Sequence, residues 1–184
     1  MKFKETLTYD DVLLVPKYSD IESRKEIDIG NFLDDNIELK LPVISSPMDT
    51  VTGAEMAVQM ALQGGLGVVH RYNEISEQVA IVLSVREKIQ KQAIAAAVGV
   101  TDDYLRRAVN VFDAGANIIC IDVAHGHHVL VEKAIRAIRD ELGNLVHIMA
   151  GNVATREGYE DVADWGADSV RCNVGGGSIC STRV

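Results

Sequence analysis

The stretch Gly115–Asp122, which reads GANIICID, decides the interpretation of this chain. A glycine suits the end of a helix, and an unbroken apolar run suits a strand that is buried on both faces. The same joint recurs at Gly166–Asp168, where glycine, alanine and aspartate lead into another apolar run. Gly65–Gly67 has a similar role earlier in the chain. The repeated joint predicts helices that each lead into a parallel strand.

Six short apolar runs are predicted to be strands: Leu41–Ser45, Leu66–His70, Ile94–Val100, Asn117–Asp122, His147–Gly151 and Asp168–Cys172. The segments between them have helical periodicity. The helices are predicted to begin after the capping residues Thr52 (with Glu55 in a capping box), Thr101 and Thr155, and to end at Gly64, Gly115 and Gly166. Strands that alternate with helices in this way indicate βα units around a parallel sheet.

An open doubly wound sheet and a barrel both fit this alternation. No G-x-G-x-x-G turn follows the first strand, which weakens the dinucleotide-fold alternative. Polar residues such as Ser46, Asp122 and Asn152 follow predicted strands, at the end where barrel enzymes carry their chemistry. We therefore predict an α/β TIM (β/α)8 barrel with about six units present, in one catalytic domain over residues 1–184. Eight units would need two more, so we expect a barrel that is truncated at the C-terminus.

Composition narrows the class of protein. The 184 residues carry a formal net charge of −9, which disfavours a nucleic-acid or anionic-membrane surface. No apolar run is long enough to cross a bilayer, and the N-terminus lacks the apolar stretch of a signal peptide. The three cysteines have no paired-metal spacing, so reduced thiols are expected. We predict a cytoplasmic protein.

A glycine loop follows the sixth predicted strand. Gly175–Gly177 precede Ser178, and Cys180 follows two residues later. Consecutive backbone N–H groups in such a turn can bind an anion, and a serine hydroxyl adds a donor. The loop is therefore either a phosphate-binding loop that presents a thiol nucleophile or a flexible glycine loop with an incidental cysteine. The residues of this stretch alone do not decide between these two interpretations.

Several segments, in order along the whole chain, resemble the family of IMP dehydrogenases and GMP reductases. They are Leu7–Leu14, Ser45–Thr52, Gly64–Arg71, Asp122–His127, Ala150–Thr155 and Gly177–Arg183. Any one of them could arise by chance, but six in order are specific.

The resemblance implies a chemical role for Cys180, which would attack C2 of a purine nucleotide before hydride transfer to NAD. It also implies that Ser178 and Ser46 contact the phosphate and ribose, that Met48 forms an apolar wall beside the base, and that Thr182 provides a hydroxyl near the nucleophile. A thiolate is reactive when positive charge or backbone dipoles lie nearby.

Further implied residues concern the cofactor, an ion and the assembly. Asp122 resembles the carboxylate that holds the nicotinamide ribose of NAD, although a strand-end aspartate can also cap a helix. Asn152 and Arg171 resemble polar partners near the glycine loop, and the resemblance implies that they help to bind the substrate. The resemblance also implies that residues 173–175 (Asn173, Val174 and Gly175) help to bind the cofactor, that the carbonyls of Gly175, Gly177 and Cys180 bind potassium, and that the protein is a homotetramer.

The remaining reactive side chains are interpreted more conservatively. His125 and His127 lie two residues apart with no evident third ligand for zinc, so we expect them to shape the cofactor pocket or to lie on a plain solvent-facing loop. Cys120 and Cys172 lie within predicted strands, where cysteine behaves as a small hydrophobe. The family's loop usually begins with glycine, where this chain has Asn173, a residue that tolerates left-handed backbone angles.

Three functions stay open. The first is NAD-dependent oxidation of IMP, with IMP as the small-molecule substrate; the second is GMP reductase; the third is a non-catalytic nucleotide-binding or assembly fragment. Helical residues 84–92 run straight into the next strand, so the regulatory insert common in the dehydrogenases is missing. The Ser45–Met48 and Ala124–His127 segments favour the dehydrogenase. With six of eight units, we do not expect turnover unless a second segment completes the barrel.

Overall fold

The computed structural model describes Leu7 and residues 11–176, and the chain divides into two compact units. One unit comprises Ile29–Val174, and the other comprises Met1–Asp28 together with Gly175–Val184. Within the described part of the second unit, the regular structure is a 3-10 turn over Arg24–Glu26. The hydroxyl of Ser23 caps this turn by accepting a hydrogen bond from the Lys25 amide at 3.3 Å.

The unit Ile29–Val174 contains an antiparallel hairpin followed by a parallel sheet. The hairpin strands are β1 (Asn31–Asp34) and β2 (Ile37–Leu39). The sheet strands are β3 (Ile44–Ser45), β4 (Leu66–Val69), β5 (Ala95–Val98), β6 (Ile118–Asp122), β7 (His147–Val153) and β8 (Ser169–Cys172). The connecting helices are α1 (Ala54–Leu62), α2 (Ile75–Lys88), α3 (Tyr104–Asp113), α4 (Val129–Leu142) and α5 (Arg156–Asp164).

The six sheet strands are parallel and neighbour one another in chain order. The sheet curls, so that residues of β3 and β8 line one cavity of about 140 Å³. The result is a half-barrel of six strands with a helix between each strand and the next. The predicted α/β class is confirmed, and so is the sequence of strands expected for part of a (β/α)8 barrel.

Both faces of the sheet are buried at the central strands β4–β7, which explains their apolar runs. On β6, Ile119 and Ile121 pack in the larger core cluster with helical residues such as Val111 and Ile135. Ile118 and Cys120, which alternate with them, belong to a second cluster on the opposite face. Because successive side chains of a strand point to opposite faces, every position of such a strand must be apolar.

The hairpin was not predicted, and it covers part of the inner face. Leu39 is buried in the second cluster, with Leu33 and Ile37 packed against it. Asp34 also links the hairpin to the sheet, since its Oδ2 lies 2.5 Å from Nδ1 of His147, whose Nε2 lies 2.8 Å from the Ser169 hydroxyl. Burial alone would raise the pKa of Asp34, but its hydrogen bonds with His147 and with the Asn36 and Ile37 amides, together with electrostatic attraction to His147, outweigh burial and hold the pKa below its usual range.

Two arginines hold the loops at the amino end of the sheet together through hydrogen bonds. Arg86, in the last turn of α2, donates to the carbonyl oxygen of Gly115 at 2.6 Å and to Oδ1 of Asn117 at 2.8 Å. Arg139, in the last turn of α4, donates to the carbonyl oxygen of Gly166 at 3.1 Å and to Oδ2 of Asp168 at 2.6 Å. Each also donates to carbonyls of the loop after its own helix.

The helix ends confirm most of the predicted boundaries. The helix-terminating residues Gly64, Gly115 and Gly166 have φ values of +85°, +110° and +109°, which favour glycine. The hydroxyl of Thr155 caps α5 by accepting from the Gly158 amide at 3.1 Å. In the described part of the chain, no helix is long and apolar enough to span a membrane.

Two predicted caps are wrong. Gly53 is the N-cap of α1 and makes no side-chain cap hydrogen bond. The buried Thr52 hydroxyl instead donates to the Ser46 carbonyl oxygen at 2.6 Å and lies 2.9 Å from the Ser45 hydroxyl. Asp103, rather than Thr101, is the N-cap of α3. At both positions the sequence pattern is compatible with a cap, but tertiary contacts and turn geometry move the start of the helix.

Candidate active site

Asp122 and Arg171 meet at the carboxyl end of the sheet. Asp122 is the last residue of β6, and Arg171 lies near the end of β8, two strands away. The Arg171 guanidinium donates to Oδ1 of the Asp122 carboxylate. The backbone carbonyl oxygen of Asp122 lies 3.4 Å from Nη2 of Arg71, which follows β4. Side chains from three strands therefore converge at the end of the sheet where barrel enzymes bind their substrates.

A buried thiol lies beneath this pair. Nη1 of Arg171 is 3.7 Å from Sγ of Cys120, and burial raises the pKa of the Cys120 thiol to about 12. Cys120 therefore stays protonated at neutral pH, as a packing residue in an apolar strand would. Burial alone would lower the pKa of Arg171, but its interactions with Cys120 and Asp122 raise it, so the guanidinium keeps its charge.

Two polar atoms at the same end of the sheet have no partner among the described residues. They are the buried Nδ1 of His70 and the buried Nε of Arg71. The Arg71 guanidinium passes Gly99, where an added Cβ would lie 3.4 Å from Nη1, and its carbon is 5.4 Å from the Tyr72 ring centroid. Because buried polar groups are normally hydrogen-bonded, these two residues are candidate ligand contacts. In the sequence analysis both residues lie in the segment Gly64–Arg71, which carries part of the family resemblance, but neither was given a role.

Ser46 and Arg171 line the same cavity of about 140 Å³, together with residues of β3, β4, β7 and β8. Ser46 lies directly after β3, where the buried hydroxyl of Thr52 holds its carbonyl oxygen. Met48 follows two residues later and is exposed. Two residues that the resemblance associates with substrate, Ser46 and Arg171, thus share one cavity wall.

Asn152 holds the start of the glycine loop. Its Nδ2 donates to the Asn173 carbonyl oxygen at 3.0 Å, and the Asn173 amide donates to the Val153 carbonyl oxygen at 2.7 Å. Asn173 has a φ of +88°, the left-handed backbone angle that asparagine was expected to accept at this position. The next residue, Val174, is exposed, and Gly175, in the smaller unit, has a φ of +69°.

His125 and His127, which the sequence analysis treats alike, have different surroundings in the loop after β6. Nε2 of His127 lies 2.7 Å from Oδ2 of Asp161 on α5, and its ring centroid is 5.8 Å from that of Trp165. His125 is exposed, and its ring is 6.2 Å from that of His128. His127 therefore contacts the helical layer, whereas the His125 side chain stays available at the surface.

Four predicted residues, Gly177, Ser178, Cys180 and Thr182, lie outside the described residues. Their roles stay predictions.

Comparisons with known proteins bear on the whole chain. Residues 6–184 match the family model described as the IMP dehydrogenase / GMP reductase domain. The chain is 28% identical to an inosine-5'-monophosphate dehydrogenase of Nitrosopumilus maritimus (strain SCM1), with 100% of the chain and 64% of that protein covered. It is 32% identical to that of Cryptosporidium parvum, covering 97% of the chain and 54% of the relative. A GMP reductase of Leishmania donovani is 26% identical, covering 98% of the chain and 63% of the relative.

The chain thus spans between 54% and 64% of the length of these relatives.

Proposed function

The chain belongs to the family of IMP dehydrogenases and GMP reductases, and we propose that it provides the nucleotide-binding part of an IMP dehydrogenase. The proposed reaction oxidises inosine 5′-monophosphate to xanthosine 5′-monophosphate and reduces NAD. The observation that carries the proposal is the pairing of Asp122 with Arg171, which also lines a cavity with Ser46, within a chain that matches the family model over residues 6–184. Several of its relatives carry the dehydrogenase name.

Cys180 is the proposed nucleophile. Its sulfur forms a bond to C2 of the purine, and a hydride then leaves C2, which oxidises the adduct to a thioimidate. NAD, when bound, supplies the acceptor for that hydride. Water then attacks C2, the carbon–sulfur bond breaks, and the oxidised nucleotide leaves while Cys180 regains its thiol. The overall step consumes water and releases a proton, so atoms and electrons balance.

The polar groups at the carboxyl end of the sheet are suited to hydrogen-bond with a nicotinamide ribose. One Asp122 oxygen accepts from Arg171, and the second has no hydrogen-bond partner among the residues that the structure covers. That second oxygen can accept from a ribose hydroxyl. The unpartnered Nε of buried Arg71 adds a donor beside the same aspartate. Residues 173–175 are proposed to contribute backbone contacts to the cofactor.

The substrate side of the proposal uses other residues. Ser46 and Ser178 contact the phosphate and ribose, and Met48 lies beside the base. Thr182 provides a hydroxyl close to Cys180. Asn152 supports the glycine loop through its hydrogen bond to Asn173.

The proposal includes an ion and an assembly. Backbone carbonyl oxygens of Gly175, Gly177 and Cys180 would hold a potassium ion, because several carbonyl oxygens together can replace its hydration shell. The ion would order the glycine loop that carries the nucleophile. The proposed assembly is a cytoplasmic homotetramer.

GMP reductase is the second candidate, since GMP reductases of two Leishmania species match the chain at 26% and 27% identity. In that reaction ammonia leaves GMP while NADPH is oxidised. The two candidates differ in substrate, in the direction of hydride transfer and in the product released.

Intact-mass spectrometry after incubation with IMP and NAD tests the proposal. We expect a covalent adduct on Cys180 in the unaltered protein and none in Cys180→Ser, which replaces the thiol with a hydroxyl of similar size. Ammonia release from GMP with NADPH would assign the reductase instead. Calorimetric IMP binding without any adduct would leave a non-catalytic nucleotide-binding role.

A further inference from the structure

The loop between β6 and α4 is attached to three different elements through three consecutive residues. The Gly126 amide donates to the Asn152 carbonyl oxygen of β7 at 2.7 Å. His127 contacts Asp161 of α5, and Nδ1 of His128 caps α4 by accepting from the Leu130 amide at 3.1 Å. The loop begins directly after Asp122, so these attachments fix the chain that leaves the proposed cofactor site.

The attachment at Gly126 depends on close approach. A Cβ at Gly126 would lie 2.8 Å from the Asn152 carbonyl oxygen and 2.9 Å from Gly151, distances that real Cβ atoms do not show. The Val123 amide also donates to the Gly151 carbonyl oxygen at 3.0 Å. The inner side of the loop is therefore tied to the backbone of β7 and cannot move away from it without losing these contacts.

The outer side of the loop depends on one side chain. The imidazole of His127 donates from Nε2 to Oδ2 of Asp161, and its ring rests against Trp165. Gly158 makes room for it, since a Cβ there would lie 3.2 Å from Cβ and Cγ of His127. His127 is therefore held in three ways: by its hydrogen bond to Asp161, by its ring contact with Trp165, and by the space that Gly158 leaves for it on α5.

We propose that His127 is a positioning residue for the dinucleotide site, which it serves by holding the loop over residues 123–128 against α5. The inference rests on the proposed function, because it assumes that Asp122 binds the cofactor. The contacts of His127 are with helix α5 and the residue after it, since Nε2 is bonded to Asp161 and the ring centroid lies 5.8 Å from that of Trp165. His125, in the same loop, is the exposed side chain that the attachments hold next to the site.

Thermodynamic reciprocity makes this role measurable. If the His127–Asp161 contact favours the loop conformation that binds the cofactor, cofactor binding must strengthen the contact by the same factor. Trp165 lies against His127 and is the single tryptophan of the chain, so its fluorescence reports on the contact directly. An ordering role also predicts weaker cofactor binding when the contact is lost, because the loop must then be ordered on binding.

The experiment compares His127→Ala, His127→Gln and Glu160→Gln with the unaltered protein. Glutamine can still donate to Asp161, so His127→Gln is the rescue variant. Glu160 pairs with Arg156 on the exposed face of α5, so Glu160→Gln removes an ion pair from the same helix without touching the loop. The measurements are calorimetric affinities for NAD and for IMP, Trp165 fluorescence with and without NAD, and amide hydrogen exchange of residues 123–129.

For His127→Ala we expect NAD affinity to fall by about twofold to fivefold, the range for loss of one partly exposed hydrogen bond. IMP affinity should be unchanged, loop amides should exchange faster, and the NAD-induced change in Trp165 fluorescence should disappear. His127→Gln should restore these properties, and Glu160→Gln should match the unaltered protein.

Two failures can be told apart. If the unaltered protein binds NAD and His127→Ala binds it equally well, the positioning role is overturned and the proposed function stands. If the unaltered protein binds neither nucleotide, the proposed function fails, and the positioning role fails with it. Equal losses of NAD and IMP affinity would overturn the inference as well, because a general loss of structure affects both.

Discussion

The amino and carboxyl ends of the parallel sheet both carry arginines, but the two ends use them differently. At the amino end, Arg86 and Arg139 each donate several hydrogen bonds to backbone carbonyls and to one side chain. At the carboxyl end, Arg171 binds one carboxylate, and the buried Nε of Arg71 lacks a partner in the described part of the chain. The comparison indicates that one end is built for stability and the other for a ligand.

The largest expected effect is on stability, at the amino end. Arg139→Ala should lower the free energy of unfolding by about 3 kcal/mol, since it removes the donor of several carbonyl oxygens and the charged partner of Asp168, which keeps only the Ile148 amide. Arg86→Ala should cost about 2 kcal/mol, because its side-chain partner, Asn117, is neutral. Urea unfolding measures both.

Arg106→Ala is the matched control, since Arg106 is 70% exposed and pairs with Asp103 on the surface. It should change stability by less than about 0.5 kcal/mol. Equal effects of all three substitutions would contradict the idea that the amino-end arginines fasten the fold.

The next effect is on binding, at the carboxyl end. Arg171→Gln should weaken NAD binding about tenfold, which corresponds to about 1.4 kcal/mol, because it releases the Asp122 carboxylate from its fixed orientation. Calorimetry measures the change. Arg171→Lys should give an intermediate affinity, since lysine keeps the charge but not the planar donor fork. If Arg171→Gln lowers stability as much as Arg139→Ala does and leaves NAD affinity unchanged, the two ends of the sheet do not differ in the way proposed.

The smallest effect is a pH dependence at the amino end. The pKa of Asp34 in the fold lies below the ordinary aspartate value of 3.8, so its ionised form stabilises the fold above that pH. This contribution is lost as pH falls below 3.8 and through the folded-state pKa. Asp34→Asn should therefore cost about 1 kcal/mol at neutral pH and flatten the acid limb of the stability curve.

Urea unfolding over a series of acidic buffers tests this expectation. Ser169→Ala is the control, because it removes the hydroxyl that contacts His147 but keeps the Asp34 carboxylate. If the free energy of unfolding falls as steeply with decreasing pH in Asp34→Asn as in the unaltered protein, other carboxylates cause the acid dependence.

Local signals made the sheet predictable. Each of the central strands β4–β7 carries an apolar run long enough to recognise, because both of its faces are buried. Gly115 and Gly166 also mark their helix ends by a backbone angle that side chains disfavour. These features are encoded within a few neighbouring residues, so the sequence alone is sufficient to find them.

Other features depend on partners far along the chain. The hairpin has strands of four and three residues, and Asp34 finds His147 only after the sheet has formed. The contact between Asp122 and Arg171 likewise joins strands that are separated in sequence. The sequence placed both residues at strand ends, but no local pattern says that one binds the other. The separate environments of His125 and His127 are set by α5, which lies beyond the loop.

At the amino end of the sheet, the same arrangement of hydrogen bonds occurs twice. Arg86 donates to Gly115 and Asn117, and Arg139 donates to Gly166 and Asp168. The two copies are offset by two strands of the sheet, so the architectural module here is a pair of strands with their helices rather than a single strand and helix. In each copy the arginine joins the loop before one strand to the loop before the next, so the two strands are held together by side-chain hydrogen bonds as well as by the backbone ladder of the sheet.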